Sequence, residues 1–315
     1  MTHPAFERIL VTGGNGFIGR HVTRRLLENG HEPLITVSGS RNPSPDATFL
    51  DVTDAAAVRS AFDSYRPTAV LHLAGTTGHN DATGDLCRRM NFDATVNIVD
   101  ALRDKDVRRL VLIGSAAEYG PQPTPFREDM PARPVSVYGR SKTAACEYAM
   151  NAFSAAGLPV TVLRVFTAFG KGQTNKMFLS QLITAALLGR SFVMSDGEQK
   201  RDLVHIDDVV TAVINVLDSD GAVGKIINIG SGRGTPLKAI ARTVWAECGA
   251  DRELLIIGGR DKTGDDPYDT EADITLAGRL LGWSPTGRIL DGDHAAPALA
   301  DLIREMRCEL STHAC

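Results

Sequence analysis

The sequence has 315 residues, 43% hydrophobic and 23% charged, with a formal net charge of -4 and no basic block or acidic tail. That length suits one large domain carrying a smaller one, and the charge balance argues against nucleic acid or a membrane surface as partner. No apolar run approaches membrane-spanning length, the first eight residues lack the apolar core of a signal peptide, and the five cysteines have no metal-ligand spacing. A cytoplasmic protein with free thiols and no bound metal is expected.

From the amino end, the apolar run Arg8 to Val11 leads into Gly13, Gly16 and Gly19, three apart, and then into a helical pattern carrying Val22, Leu26 and Leu27. The expected order is strand, tight turn, helix. Glycine accepts positive φ and places no Cβ between the backbone and an approaching phosphate. The N–H groups at the helix start, at Phe17, Ile18 and Gly19, favour an anion such as a pyrophosphate. Leu34 to Val37 reads as a second strand. Where the end of such a strand meets an adenosine ribose, a carboxylate would hold a free 2′-hydroxyl. Val37-Ser-Gly-Ser-Arg41 offers instead hydroxyls, Ser38 among them, and a guanidinium suited to a 2′-phosphate, which favours NADP(H) and leaves NAD(H) open. The alternative for Arg41 is a solvated loop residue.

Thr48 to Asp54 reads as a short strand and a helix cap at Asp54, with the helix running through Phe62. Asp51, beside Val52, falls where a carboxylate could meet the adenine amino group. Thr68 to Gly75 is a near-continuous apolar strand, as for a parallel strand buried on both faces. Its end, Leu73-Ala74-Gly75, passes close to the cofactor, and His72 reads as a packed strand residue rather than a ligand. The polar loop Thr76 to Gly84 is placed over the site. A helical stretch from Asp85 to Asp104 and a strand from Arg109 to Gly114 follow, so the alternation predicts an α/β, Rossmann-type, doubly wound parallel sheet.

Ser115 lies at the carboxyl end of the last of these strands, where open α/β sheets place their chemistry. A proline-rich loop then leads into a helix that begins Tyr138-Gly-Arg-Ser-Lys142 and sets Tyr138 and Lys142 four apart on one face. A lysine beside a phenol favours the phenolate, so the pair can exchange a proton nearer neutral pH, while Ser115 hydrogen-bonds the same substrate oxygen.

These residues resemble those of the extended short-chain dehydrogenase/reductases of the nucleotide-sugar epimerase, dehydratase and ketoreductase group. The matches are Thr12-Gly-Gly-Asn-Gly-Phe-Ile-Gly19, Asp51-Val52, His72-Leu-Ala74, Asn91 with Asn97, Ser115 to Gly120, Tyr138 to Lys142, Arg164-Val165-Phe166, Arg201 to Asp208, Asn228 to Gly232 and Leu281-Gly-Trp283. They run through nearly the whole chain. The resemblance implies that Ser115, Tyr138 and Lys142 are the catalytic triad, that Lys142 also binds the nicotinamide ribose, that Val165 joins the cofactor contacts, and that Asn91 supports the site. It also implies a dinucleotide-binding domain over 1–167, with returning segments near 203–230, and a smaller C-terminal α/β substrate domain over 168–315 that clasps a nucleoside diphosphate sugar. Helices near 85–104 and 137–155 resemble the pair through which family members form homodimers, or are ordinary sheet-covering helices.

Within that frame, Arg201 suits the diphosphate, the alternative being an ion pair with Asp202 or Asp207. Lys262-Thr-Gly-Asp265 resembles an Arg-x-Gly-Asp sugar-nucleotide motif with lysine in place of arginine, and Thr167 stands where the family's usual asparagine meets the sugar. Dehydratases of the family carry an Asp-Glu pair after the catalytic hydroxyl, and alanines at 116 and 117 cannot move a proton. Glu118, before Tyr119-Gly120, resembles the reductases of GDP-4-keto-6-deoxy sugars and is expected at the substrate, with a structural carboxylate as the alternative. The expected reaction is NADPH-dependent reduction at carbon 4 of a nucleotide-linked 4-keto-6-deoxy sugar. The alternatives are an NAD-dependent nucleotide-sugar 4-epimerase and, remotely, a non-catalytic scaffold, which the intact triad disfavours.

Overall fold

The computed structural model describes residues 8–38, 47–77, 84–261, 268–287, 289–291 and 294–312. Arg41, Lys262, Asp265 and most of the loop after Thr76 lie outside them. The first six strands are β1 (Ile9–Thr12), β2 (Leu34–Val37), β3 (Ala47–Phe49), β4 (Ala69–His72), β5 (Arg109–Ser115) and β6 (Val160–Val165). After β7 (Thr167–Phe169), β8 (Phe192–Met194) and β9 (Lys200–His205), strand β10 (Lys225–Ile229) returns beside β6. Among the described residues the main sheet has seven strands, in the order β10-β6-β5-β4-β1-β2-β3. Every pairing in it is parallel.

Apolar runs make these strands, and their period of two sends alternate side chains to opposite faces. Val11, Leu71, Val111 and Leu163 enter one core with Val22 and Leu26 of α1 (Phe17–Glu28). Their neighbours Leu10, Val70, Leu110 and Val162 enter the other, with Val58 and Phe62 of α2 (Ala55–Tyr65). Each such side chain, fully buried, stabilises the fold by about 1.5–3 kcal/mol. The expected helix from Asp85 to Asp104 is interrupted. It runs as α3 (Asp85–Cys87), a π-helical turn over Arg88–Asp93, and α4 (Ala94–Leu102). The wide turn carries Asn91, and single π turns of this kind recur at functional sites. The long α5 (Val137–Ala156) starts at Ser136, whose hydroxyl accepts the Gly139 N–H, and ends at Gly157 with positive φ.

Beyond Thr167 the chain gathers a further core from α6 (Phe178–Leu187), then α7 (Ile206–Leu217) goes back to pack on the main sheet, and α8 (Leu237–Cys248) rejoins α6. Strands β7 and β9 pair in parallel, with β11 (Gly234–Pro236) antiparallel on the other edge of β9. Among the described residues no helix is long and apolar enough to cross a membrane, and no cluster of side chains is arranged to hold a metal.

Candidate active site

The site begins at the switch point of the sheet, between β1 and β4, where the strand order reverses. Gly13, at φ +69°, brings the turn after β1 so close to the end of β4 that a Cβ there would lie 2.6 Å from the Ala74 nitrogen and 2.9 Å from the Leu73 carbonyl carbon. A Cβ on Gly19 would collide with the Gly13 carbonyl oxygen. Gly16 caps α1 without any side-chain hydrogen bond, so the first-turn amides at Phe17, Ile18 and Gly19 are left for a ligand. The cradle that side chains would fill, facing an uncapped helix start, fits a dinucleotide pyrophosphate. Ser38 follows β2 and is exposed. The Asp51 carboxylate accepts the Thr53 N–H at 2.9 Å and the Thr53 hydroxyl at 2.7 Å, and Val52 is held by Asn97, which donates to its carbonyl at 3.0 Å.

The catalytic candidates converge across β5, α5 and the π turn. The Ser115 hydroxyl beside Tyr138 favours the phenolate, but burial is the larger influence and raises the phenol above its usual value. Burial likewise lowers Lys142, opposed mainly by the charge of Glu118. A Cβ on Gly75 would lie 2.9 Å from Asn91 Oδ1 and 3.8 Å from Lys142 Nζ, so the end of β4 passes directly over this cluster. Asn91 Oδ1 accepts the Thr76 N–H at 2.9 Å, and its amide donates to the Thr76 carbonyl and to Ser141 Oγ at 3.0 and 2.9 Å. His72 is a packed strand residue, as expected, and shares a 2.7 Å hydrogen bond with Thr12 Oγ1 through Nδ1.

Glu118 departs from expectation. Its carboxylate is 0% exposed and turned beneath the strand ends, accepting Arg164 Nε at 2.9 Å and the Ser115 N–H at 2.7 Å. It does not border the cavity where substrate could sit; the neighbouring Ala116 and Ala117 do. The short 3-10 turn Ala116–Glu118 rotates the third side chain inward.

That cavity, 370 Å³, is bordered by Ser115 and Tyr138 at the sheet and by Phe126, Val135, Phe166 and Ala168 along its walls. Val165 and Thr167 also line it, as do Phe17 and Ile18 from the glycine turn. A second chamber of 370 Å³ continues from it through Thr167, Gln173, Met177 and Arg201, which border both. Arg201 is held by the carbonyls of Lys200 and Tyr268 at 2.9 and 3.1 Å rather than by Asp202. The Asp202 carboxylate accepts Ser231, Gly232 and Ala272 amides at 2.5, 3.0 and 3.0 Å. Arg260 and Lys176 line the second chamber too, and sequence reasoning passed over both. The signal for Arg260 was its place two residues before the lysine-substituted motif at 262–265.

A parallel dinucleotide-type sheet with a Ser-Tyr-Lys cluster at its carboxyl ends defines an NAD(P)-dependent enzyme of the extended short-chain dehydrogenase/reductase class. The model of the NAD dependent epimerase/dehydratase family matches residues 9–230, and the chain belongs to that family. It is similar to the dTDP-6-deoxy-L-talose 4-dehydrogenase (NAD(P)(+)) of Kitasatospora kifunensis, 30% identical over 299 residues that cover 90% of this chain and 92% of the relative. Among solved structures it is similar to a UDP-glucose 4-epimerase with UDP-glucose from Thermotoga maritima, at 26% identity and a TM-score of 0.87 over 96% of this chain and 99% of that one. MoeE5 in complex with UDP-glucose and NAD matches at 28% identity and a TM-score of 0.85, with the same coverage.

Proposed function

We propose that the protein reduces carbon 4 of a nucleotide-linked 4-keto-6-deoxy sugar with NADPH. The observation that carries this reading over elimination is the lining of the first chamber. Among the described residues it contains no carboxylate, histidine, cysteine or lysine, and of its two phenols Tyr138 lies with Ser115 at the sheet end while Tyr268 stands beside Arg201. When bound, the reduced dinucleotide would supply the hydride. Tyr138 Oη gives its proton to the oxygen of carbon 4, Ser115 Oγ donates a hydrogen bond to the same oxygen, and Lys142 favours the phenolate that results. The apolar walls from Val135, Phe166 and Ala168 suit a sugar bearing a methyl at carbon 6 better than a hydroxymethyl. Arg201, Arg260 and Lys176 gather in the second chamber, where a diphosphate finds cations. The activity for which the Kitasatospora relative is named, a 4-dehydrogenase of a dTDP-6-deoxy sugar, supports the same class of reaction.

Reversible 4-epimerisation is the second reading, favoured by the likeness to UDP-glucose 4-epimerase structures. The two are separated by mass spectrometry of cofactor carried through purification, titration with NADPH and NADH, and assay with dTDP-4-keto-6-deoxyglucose and with UDP-glucose. Stoichiometric NAD(H) with UDP-glucose turnover would replace the reductase reading by the epimerase. A cofactor-free protein that prefers NADPH and consumes it with the keto sugar would establish it.

A further inference from the structure

The carboxylate expected at the substrate is instead built into the strand end that carries the serine. Ser115 is the N-cap of the 3-10 turn Ala116–Glu118: its Oγ accepts the Ala117 N–H at 3.2 Å, while Glu118 Oε1 accepts the Ser115 N–H at 2.7 Å. This is a reciprocal capping box. With the Ala117 N–H occupying an acceptor site of the hydroxyl, the Ser115 proton is left for another acceptor, and Ser115 and Tyr138 border the same chamber.

The second carboxylate oxygen accepts Arg164 Nε at 2.9 Å from the adjacent strand β6. The guanidinium carbon sits 4.6 Å from the Tyr119 ring centroid, and Tyr119 Oη donates to Asn228 Oδ1 on β10 at 2.7 Å. Gly114 makes the room: a Cβ there would lie 2.7 Å from Glu118 Oε1. The side chains of Arg164 and Glu118 are 5% and 0% exposed. Two charges withdrawn from water this completely are seldom a better source of stability than apolar side chains of the same volume. What the pair supplies that apolar groups cannot is a fixed acceptor for the Ser115 amide.

We infer that Glu118 is a positioning residue that acts through Ser115, with Arg164 as its fixed counter-charge, so that the serine hydroxyl meets the substrate oxygen as a donor. The inference rests on the reading of Ser115 as the polarising hydroxyl. It is tested by steady-state kinetics on dTDP-4-keto-6-deoxyglucose with NADPH, or on UDP-glucose if that is the substrate turned over, for Ser115→Ala, Glu118→Ala, Glu118→Gln and Ser115→Ala with Glu118→Ala. Glu118→Ala should lower kcat about 10- to 100-fold, with KM for the sugar nucleotide and Kd for the dinucleotide within about twofold. Glu118→Gln keeps an oxygen for the Ser115 amide and should recover most of that loss. In the Ser115→Ala background, Glu118→Ala should cost less than about threefold more, because the residue it acts through is gone. Should Glu118→Ala not fold, Glu118→Met with Arg164→Met replaces the pair by apolar volume; it should keep the wild-type urea midpoint and still lose turnover. Equal losses in the presence and absence of the serine hydroxyl, equal kcat for the Gln and Ala variants, or wild-type kcat in a folded Glu118→Ala or double-Met protein would each overturn the inference. Wild-type kcat in Ser115→Ala would instead overturn the assignment of the serine on which it depends.

Discussion

His72 offers a quantitative check on the polar core behind the catalytic cluster. The ring is 4% exposed, its Nδ1 is engaged by Thr12, and its Nε2 has no partner among the described residues. Burial, and secondarily the charge of Lys142, holds the imidazole at a pKa of about 3 against its ordinary 6.5. Because the folded pKa is depressed, the stability associated with the neutral ring is whole above pH 6.5 and is lost progressively as pH falls toward 3. Linkage over that interval amounts to about 5 kcal/mol in total and about 2 kcal/mol between pH 7 and pH 5. The perturbation is His72→Asn, whose amide can still meet Thr12 but does not titrate. The assay is urea unfolding of both proteins at pH 7 and pH 5. Wild type should lose about 2 kcal/mol more than the variant over that step. Parallel losses would refute the argument and mean that the ring is hydrated or charged in the native protein.

Tyr138→Phe should abolish turnover while leaving dinucleotide affinity, read by fluorescence titration, nearly unchanged; substantial residual turnover would remove Tyr138 from its role. Gly13→Ala places a Cβ 2.7 Å from the Ala74 Cα on a backbone of positive φ, and should cost about 2–5 kcal/mol in urea unfolding or an equivalent loss of dinucleotide affinity. Arg201→Ala should raise KM for the sugar nucleotide about 10- to 100-fold with little change in kcat, as expected for a charged hydrogen bond to a diphosphate far from the reacting carbon. Asp202→Ala strands the buried amide of Ala272 and the half-buried amides of Ser231 and Gly232, and should destabilise by about 2–3 kcal/mol, seen as a fall in the urea midpoint.

Much of the fold was legible because parallel strands buried on both faces are written as apolar runs. Leu34–Val37 has the bounds the sequence suggests. The glycine turn and the four-residue spacing of Tyr138 and Lys142 were legible for the same reason: the geometry is local, and residue type and separation determine it. The π turn at Arg88–Asp93 was not, since hydrophobic periodicity over 18 residues averages across one widened turn. Glu118 marks a different limit. Ser115-Ala-Ala-Glu118 is itself a capping-box pattern, yet at a strand end beside a catalytic candidate the same carboxylate also suits a substrate contact. Only the presence of Arg164 across the strand, 46 residues away in sequence, decides which way it turns. Arg201 and Arg260 meet in one chamber for a similarly non-local reason, because β9 and the segment after β12 (Leu255–Ile257) converge there.

Turning Glu118 inward changes what the site can do. Removal of water from a sugar needs a second acid or base beside the carbon that loses its hydroxyl, and the two positions that face the chamber after Ser115 are methyl groups. A carboxylate at 118 could have supplied that function from one residue further on, but its oxygens are committed to Arg164 and to the Ser115 amide. To reach a substrate it would have to abandon a buried guanidinium, a change that costs several kcal/mol. On the function proposed above, what remains among the described residues at the sheet end is the proton on Tyr138, with the hydride to be supplied by the dinucleotide. Reduction of a ketone and oxidation followed by re-reduction both fit that reading, whereas elimination lacks its second acid or base among the described residues lining the first chamber. On the same proposed function, Arg201, Arg260 and Lys176 would do no chemistry; they would hold the diphosphate so that carbon 4 rests at the phenol.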